Sequence, residues 1–179
     1  MFASEHEPVA LALWTAHTHM LDGADVSPLL ALTSAEMRSG KTLVLDLLEF
    51  IVANPERMVT PSPAATYTAI SQRPRPTLMV DESDAIFTRK RKGDADTEGL
   101  RAVFNAGNRR GVTVARVEMQ GKKRVLERLD VFGAKVLASI GKLPDTITDR
   151  AIVIRMRRKS KSDHVRRFRY RRAAAMTPT

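Results

Sequence analysis

Apolar residues fall along this chain in two alternating patterns. Short, largely apolar runs occur at Leu29 to Leu32, Thr77 to Val80, Ala134 to Ile140 (interrupted by Lys135 and Ser139) and Ala151 to Ile154. Such runs suit strands buried on both faces of a parallel sheet. Between them, apolar positions recur at helical spacing. The leucines after Gly40-Lys41-Thr42 lie at helical spacing and predict an amphipathic helix that Asn54-Pro55 ends, and Ala64 to Ser71 predict another. Pro8 to Leu21, carrying Val9, Leu11, Leu13, Trp14 and Met20, predict an N-terminal helix that Asp22-Gly23 stops, with a turn at Ser27-Pro28. A short strand is expected over Met58 to Thr60, and Arg73-Pro74-Arg75-Pro76 is a rigid, extended approach to the strand after it. Thr97 is a candidate cap for a helix over Glu98 to Arg109 with Leu100, Val103 and Phe104 inward. Val112 to Met119 and Lys122 to Leu126 read as a β-hairpin across Gln120-Gly121, and Pro144 to Arg150 as one or two helical turns. The fold class is therefore α/β, a mostly parallel sheet sandwiched by helices.

Two junctions in this pattern carry candidate chemistry. After the first apolar run come Ala35, Glu36, Met37, Arg38, Ser39, Gly40, Lys41 and Thr42, directly before a helix. This resembles a phosphate-binding P-loop, in which a loop feeding a helix N-terminus aims unpaired N–H groups and the positive end of the helix dipole at one small volume. Gly40 would admit the phosphate close to the backbone, Lys41 would reach the β and γ phosphates, and the Thr42 hydroxyl would ligate Mg²⁺. Ala35 stands where the pattern has its first glycine, and its Cβ resists a left-handed turn. An ordinary loop entering an amphipathic helix is the competing reading. The second junction is the run Leu78-Met79-Val80 ending in Asp81-Glu82. A buried parallel strand that delivers two acids to its C-terminal end resembles a Walker B strand, with Asp81 holding Mg²⁺ through water and Glu82 orienting the attacking water. The two junctions together, in this order and about 40 residues apart, specify a nucleotide site far better than either alone.

Composition narrows the setting. At 179 residues the chain is the size of one domain, and without cysteine it has neither disulfides nor thiolate metal sites. The N-terminus lacks a basic, apolar leader, and the longest apolar stretch, Leu43 to Ala53, is broken by Asp46 and Glu49. No membrane partner is expected, and cytoplasmic is the default localisation. The net charge of +10 is concentrated: Arg155 to Arg172 hold ten Arg or Lys and one acid, Asp163. A basic segment of this kind attracts polyanions, nucleic acid above all, with salt-sensitive affinity; a solvated helix or frayed end is the competing reading. Lys122, Lys123 and Arg124 near the hairpin tip are a second candidate contact, against a solvated basic turn. Asp84 to Gly99, including the run Arg89 to Lys92, reads as a charged surface loop. His17 and His19 point apart on one helix, which favours packing or capping over a metal, and Trp14 suits the core better than an adenine pocket.

The series SGKT, LMVDE, KVLASIG and LPDTITDRAIVIRMRR, with WTAHTH ahead of it, is similar to the P-loop ATPase domain of an uncharacterised family carried by phages and integrated elements, often labelled DNA primase or helicase-like. The likeness covers roughly residues 10 to 170. It implies an AAA+ or RecA-like core of the additional-strand class, ATP and Mg²⁺ as ligands, and DNA as the nucleic acid. It also implies a sensor role for Ser139 at the end of its strand and an arginine-finger role for Arg150 acting in trans in a homo-oligomer. An Asp149–Arg150 surface pair or a helix C-terminal cation competes with the last. An AAA+ lid would follow Arg155, where only about two dozen mostly basic residues remain, so the expectation is a core without a lid. The organisation expected is a helical segment over 1–28, the P-loop core over 29–158 and a basic tail over 159–179. The first functional expectation is an Mg²⁺-dependent ATPase of a replication-associated protein acting on nucleic acid. The alternatives are a non-catalytic, nucleotide-switched or nucleic-acid-binding module and, more remotely, a kinase-like phosphotransferase.

Overall fold

The computed structural model describes residues 1–87, 95–121, 123–164 and 168–170, with the backbone alone at 85, 95–97, 118 and 120. The Arg89 to Lys92 run, Lys122 and the tail at 165–167 and 171–179 lie outside the described residues.

The apolar runs become a five-stranded parallel sheet. Its strands are β1 (Leu29–Ser34), β2 (Pro55–Val59), β3 (Thr77–Asp81), β6 (Lys135–Ile140) and β7 (Ala151–Arg155), in the order β2-β3-β6-β1-β7. Between them lie α2 (Lys41–Ile51), α3 (Pro63–Gln72), α4 (Asp84–Phe87), α5 (Ala95–Ala106), the hairpin strands β4 (Thr113–Gln120) and β5 (Lys123–Asp130), and the single turn α6 (Asp145–Thr148). α1 (His6–Thr18) precedes them all. Because every sheet strand runs the same way, the chain leaves β1, β3 and β6 at one edge. β6 enters late in sequence yet pairs with both β1 and β3, Ala31 with Leu137 and Val80 with Leu137, and so separates the two strands that carry the candidate motifs.

Period-two alternation sends the two halves of each strand to different layers. Leu30 and Leu32 of β1 join Met79, Val136 and Ala138 beneath α1 and α2, against Trp14, Leu45 and Leu48. Leu29 and Ala31 join Val80 and Leu137 on the other face, against Phe87, Leu100, Phe104 and Ile147. Leu78 and Val103 extend the second layer toward Leu129 and Val131 under the hairpin.

Several element ends differ from those expected. α1 stops at Thr18, and Leu21–Gly23 form a separate 3₁₀ turn. The short strand is Pro55–Val59, not Met58 to Thr60: it pairs with β3 from Pro55↔Thr77 onward, and Thr60 turns out of it at φ 50°. α3 starts one residue early because Ser62 caps it, its Oγ accepting from the Ala65 N–H at 3.2 Å, with Pro63 at the first position. α5 begins at Ala95, so Thr97 lies within its first turn and is not its cap, and it ends at Ala106. The hairpin forms with Val117 opposite Leu126, and its second strand runs on to Asp130 because Leu129 is drawn into the core.

Candidate functional site

The chain leaves β1 at Ser34, makes a six-residue excursion and enters α2 at Lys41. Gly40 sits at the helix N-cap with φ 90°, a conformation that favours glycine, and Arg38 takes φ 59°. Ala35 is not among the left-handed residues, so the alanine in place of the first glycine carries no backbone strain here. The Ser34 hydroxyl donates to the Glu36 carbonyl at 2.7 Å and tightens the start of the loop. The Lys41 ammonium folds back over it, donating to the Ser34 Oγ and, at 3.3 Å, to the Ser39 Oγ.

At the neighbouring strand end, Asp81 accepts from the Glu82 N–H through Oδ1 at 3.0 Å. Glu82 has φ 54°, unusual for a residue with a long side chain, and points into solvent. The turn is pinned from behind: the Ser83 N–H and hydroxyl both donate to the Ala138 carbonyl, at 2.9 and 3.0 Å.

Met37, Arg38, Ser39, Gly40, Lys41 and Thr42 line a cleft of about 400 Å³ with Asp81, Glu82 and Asp84 at the carboxyl edge of the sheet, and Ala138 and Ile140 form its floor. Desolvation lowers the Lys41 pKa from its ordinary value, and the carboxylates of Asp81 and Asp84 oppose the shift. Those three charges therefore feel one another, although Lys41 and Asp81 are forty residues apart in sequence. The arrangement offers a cationic, N–H-rich helix start facing a wall of carboxylates, which is the chemistry of a cation–polyphosphate pair. The donor set suits a hard divalent ion. Thr42 and Asp81 bring one hydroxyl and one carboxylate, and no group of three or more His, Asp or Glu among the described residues makes an all-protein cage. Mg²⁺ is held in that way, by one or two protein oxygens plus phosphate and water.

Four expected site residues stand apart from this cleft. Ala35, exposed, lines a second depression of about 610 Å³ toward Arg155, and Glu36 is exposed without lining either. Ser139 lies on β6 as expected, between β1 and β3, yet alternation turns it away from the face that Ala138 and Ile140 present. Its Oγ donates to the Ile140 carbonyl at 3.3 Å in a nearly sealed environment. Arg150 is at the opposite edge of the sheet, where its carbonyl accepts from the Leu29 N–H at 2.9 Å, about 20 Å or one strand length from the P-loop. It is exposed and donates to the Thr146 carbonyl at 2.6 Å. It therefore cannot serve the cleft of its own chain.

Asp84 and Arg57 belong to the site and were not singled out in the sequence. Asp84 is the third carboxylate at the end of β3, after Asp81 and Glu82, and in the sequence it opens the stretch that reads as a charged loop. Arg57 reaches the site from β2, with Nη2 3.7 Å from Asp81 Oδ2, and only the parallel pairing of β2 with β3 brings it there. Trp14 is not part of the cleft: it is 1% exposed in the core and donates from Nε1 to the Pro28 carbonyl at 2.8 Å. His19 interacts with the Ile51 carbonyl at the end of α2 at 2.8 Å, and His17 with the Ser27 hydroxyl at 3.1 Å, the packing and capping roles expected of them.

Of the basic surfaces, Lys123 and Arg124 are exposed at the hairpin, beside Val117, Met119 and Leu126 on the same outward face or strand. In the tail, Arg157 pairs with Asp163 at 2.7 Å, and the rings of Phe168 and Tyr170 meet Phe50 of α2 in tilted and edge-on contacts at centroid distances of 6.4 and 5.1 Å. No helix of the described residues is long and apolar enough to cross a membrane.

The parallel sheet, the late-entering strand between β1 and β3, and the loop-to-helix junction at Gly40 define an α/β domain of the P-loop NTPase fold. Among solved structures of that fold, the chain is similar to the RuvB Holliday junction branch migration motor of Thermotoga maritima, at 15% identity and TM-score 0.51 over 86% of this chain and 45% of that one. It is also similar to the C-terminal region of NrS-1 in its apo form, at 12% identity and TM-score 0.54 over 96% of this chain and 39% of that one. The chain thus spans less than half the length of either. No protein-family model and no curated protein matches the sequence.

Proposed function

We propose that this chain is the Mg²⁺-dependent ATP-binding and ATP-hydrolysing domain of a replication-associated, helicase- or primase-like protein that acts on nucleic acid. The observation that carries the reading is the meeting of Lys41, Thr42, Asp81 and Glu82 at one cleft on the carboxyl edge of a parallel sheet. The Ala35 to Thr42 loop cradles the phosphates, chiefly through the amides from Met37 onward. Lys41 offsets charge on the β and γ phosphates, and Thr42 and Asp81 hold the cation, Asp81 from a carboxylate whose rotation the Glu82 N–H fixes. Glu82, free in solvent beside the phosphate position, orients and polarises water. When bound, Mg²⁺ neutralises phosphate oxygens and aligns them; the rest of the catalysis is positioning. Arg150 acts on a neighbouring subunit's cleft in a homo-oligomer, and the basic tail with the hairpin tip contacts DNA.

The test separates binding from turnover. Lys41→Ala is expected to abolish binding of a fluorescent ATP analogue, and Glu82→Gln to keep binding and lose steady-state hydrolysis. Equal affinity in Lys41→Ala and the parent refutes the P-loop assignment. A second reading, a nucleotide-switched module without turnover, draws support from the fact that, of the four groups assigned to turnover, only Lys41 and Glu82 line the cleft. A folded protein that binds nucleotide but does not hydrolyse it, with or without single-stranded DNA, establishes that reading instead.

A further inference from the structure

Arg57 occupies the middle of β2 and lies, half-buried, between α2 and the sheet edge. Its guanidinium meets three carboxylates at graded distances. Nη1 is 2.5 Å from Asp46 Oδ1 and 3.3 Å from Glu49 Oε2, while Nη2 is 3.7 Å from Asp81 Oδ2. Asp46 and Glu49, three residues apart, share one side of α2 and so present a paired acidic dock. Burial alone would lower the Arg57 pKa, but the hydrogen bonds to Asp46 and Glu49 outweigh it and hold the group above its ordinary value. Asp81 is the loosest of the three contacts, beyond hydrogen-bond distance.

Resting on the reading of Asp81 as the metal carboxylate, we propose that Arg57 is a displaceable counter-ion. Docked on Asp46 and Glu49, it also offsets part of the Asp81 charge when no divalent cation is present; it gives up that third, looser contact when Mg²⁺ arrives, and so sets the Mg²⁺ concentration at which the site loads. Two physical facts make the exchange feasible. A divalent cation outcompetes a monovalent one for the same carboxylate, and the released guanidinium keeps two acidic partners, so that no half-buried charge is stranded.

The experiment is binding of a fluorescent ATP analogue titrated with Mg²⁺. Arg57→Met removes the competing charge and keeps the stem, and its Mg²⁺ midpoint is expected to fall about three- to tenfold, a modest factor because the cluster is partly solvated and screened. The double variant Asp46→Asn/Glu49→Gln leaves Arg57 with Asp81 alone, and its midpoint is expected to rise by a similar factor. Arg57→Lys keeps the charge and is expected to stay near the parent. Shifts of opposite sign are the signature, since lost packing would weaken both variants alike; should Arg57→Met not fold, the double variant still tests the sign. A Mg²⁺-dependent parent whose variants stay put or move the same way overturns the inference alone. A parent that binds nucleotide without any Mg²⁺ dependence overturns the metal reading and this inference with it.

Discussion

Lys135, at the start of β6 and at the edge of the sheet away from the cleft, is 2% exposed. Its ammonium is satisfied by three backbone carbonyls, those of Val131 at 2.7 Å, Gly133 at 3.0 Å and Gly107 at 3.1 Å, and so ties the end of α5 to the loop before β6. Desolvation nonetheless brings its pKa down from 10.5 to about 7, against the opposing charge of Asp130. Between those two values the unfolded chain keeps a proton that the folded chain has released, so stability rises with pH across that window and is independent of Lys135 below it. The slope is at most about 1.4 kcal/mol per pH unit, or about 4 kcal/mol between pH 7 and 10. The perturbation is Lys135→Met, similar in length and without a charge. It leaves the carbonyls of Val131 and Gly133 without their donor, at a cost of about 1–3 kcal/mol each. Urea unfolding of parent and variant at pH 7, 8, 9 and 10 isolates the lysine, since all other groups titrate in both proteins. The expected result is a variant that is less stable at pH 7 by about 2–6 kcal/mol, with a deficit that grows as pH rises. A pH-independent deficit would refute the desolvation argument and show that three carbonyls suffice to keep the buried ammonium charged.

Three further outcomes are expected. Gly40→Ala places a Cβ at φ 90°, strained by about 1–2 kcal/mol, and should lower the affinity for the ATP analogue while leaving the fold intact by circular dichroism. Trp14→Ala should cost about 3–5 kcal/mol in urea unfolding without altering nucleotide affinity beyond the loss of folded protein, because the indole fills the core and does not line the cleft. Arg150→Ala should leave nucleotide affinity unchanged and remove any dependence of ATPase turnover on protein concentration; an unchanged concentration dependence would exclude a role in trans.

Local chemistry along the chain accounts for the elements and for the order of the two motifs. Buried parallel strands must be apolar on both faces, so Leu29 to Leu32 and Thr77 to Val80 stand out, and a helix start at Gly40-Lys41-Thr42 follows from local chemistry alone. Which residues share a face follows from the packing of the folded chain. Strand alternation is legible in sequence, but which half faces α2 depends on how the sheet packs, and that turned Ser139 away while keeping Ala138 and Ile140 in the cleft. The direction of β7 put Arg150 at the far edge, and the pairing of β2 with β3 brought Arg57 to Asp81. Nothing local to either residue encodes that meeting, because charge contacts across strands are set by register and sheet order, which emerge only when the whole core is assembled.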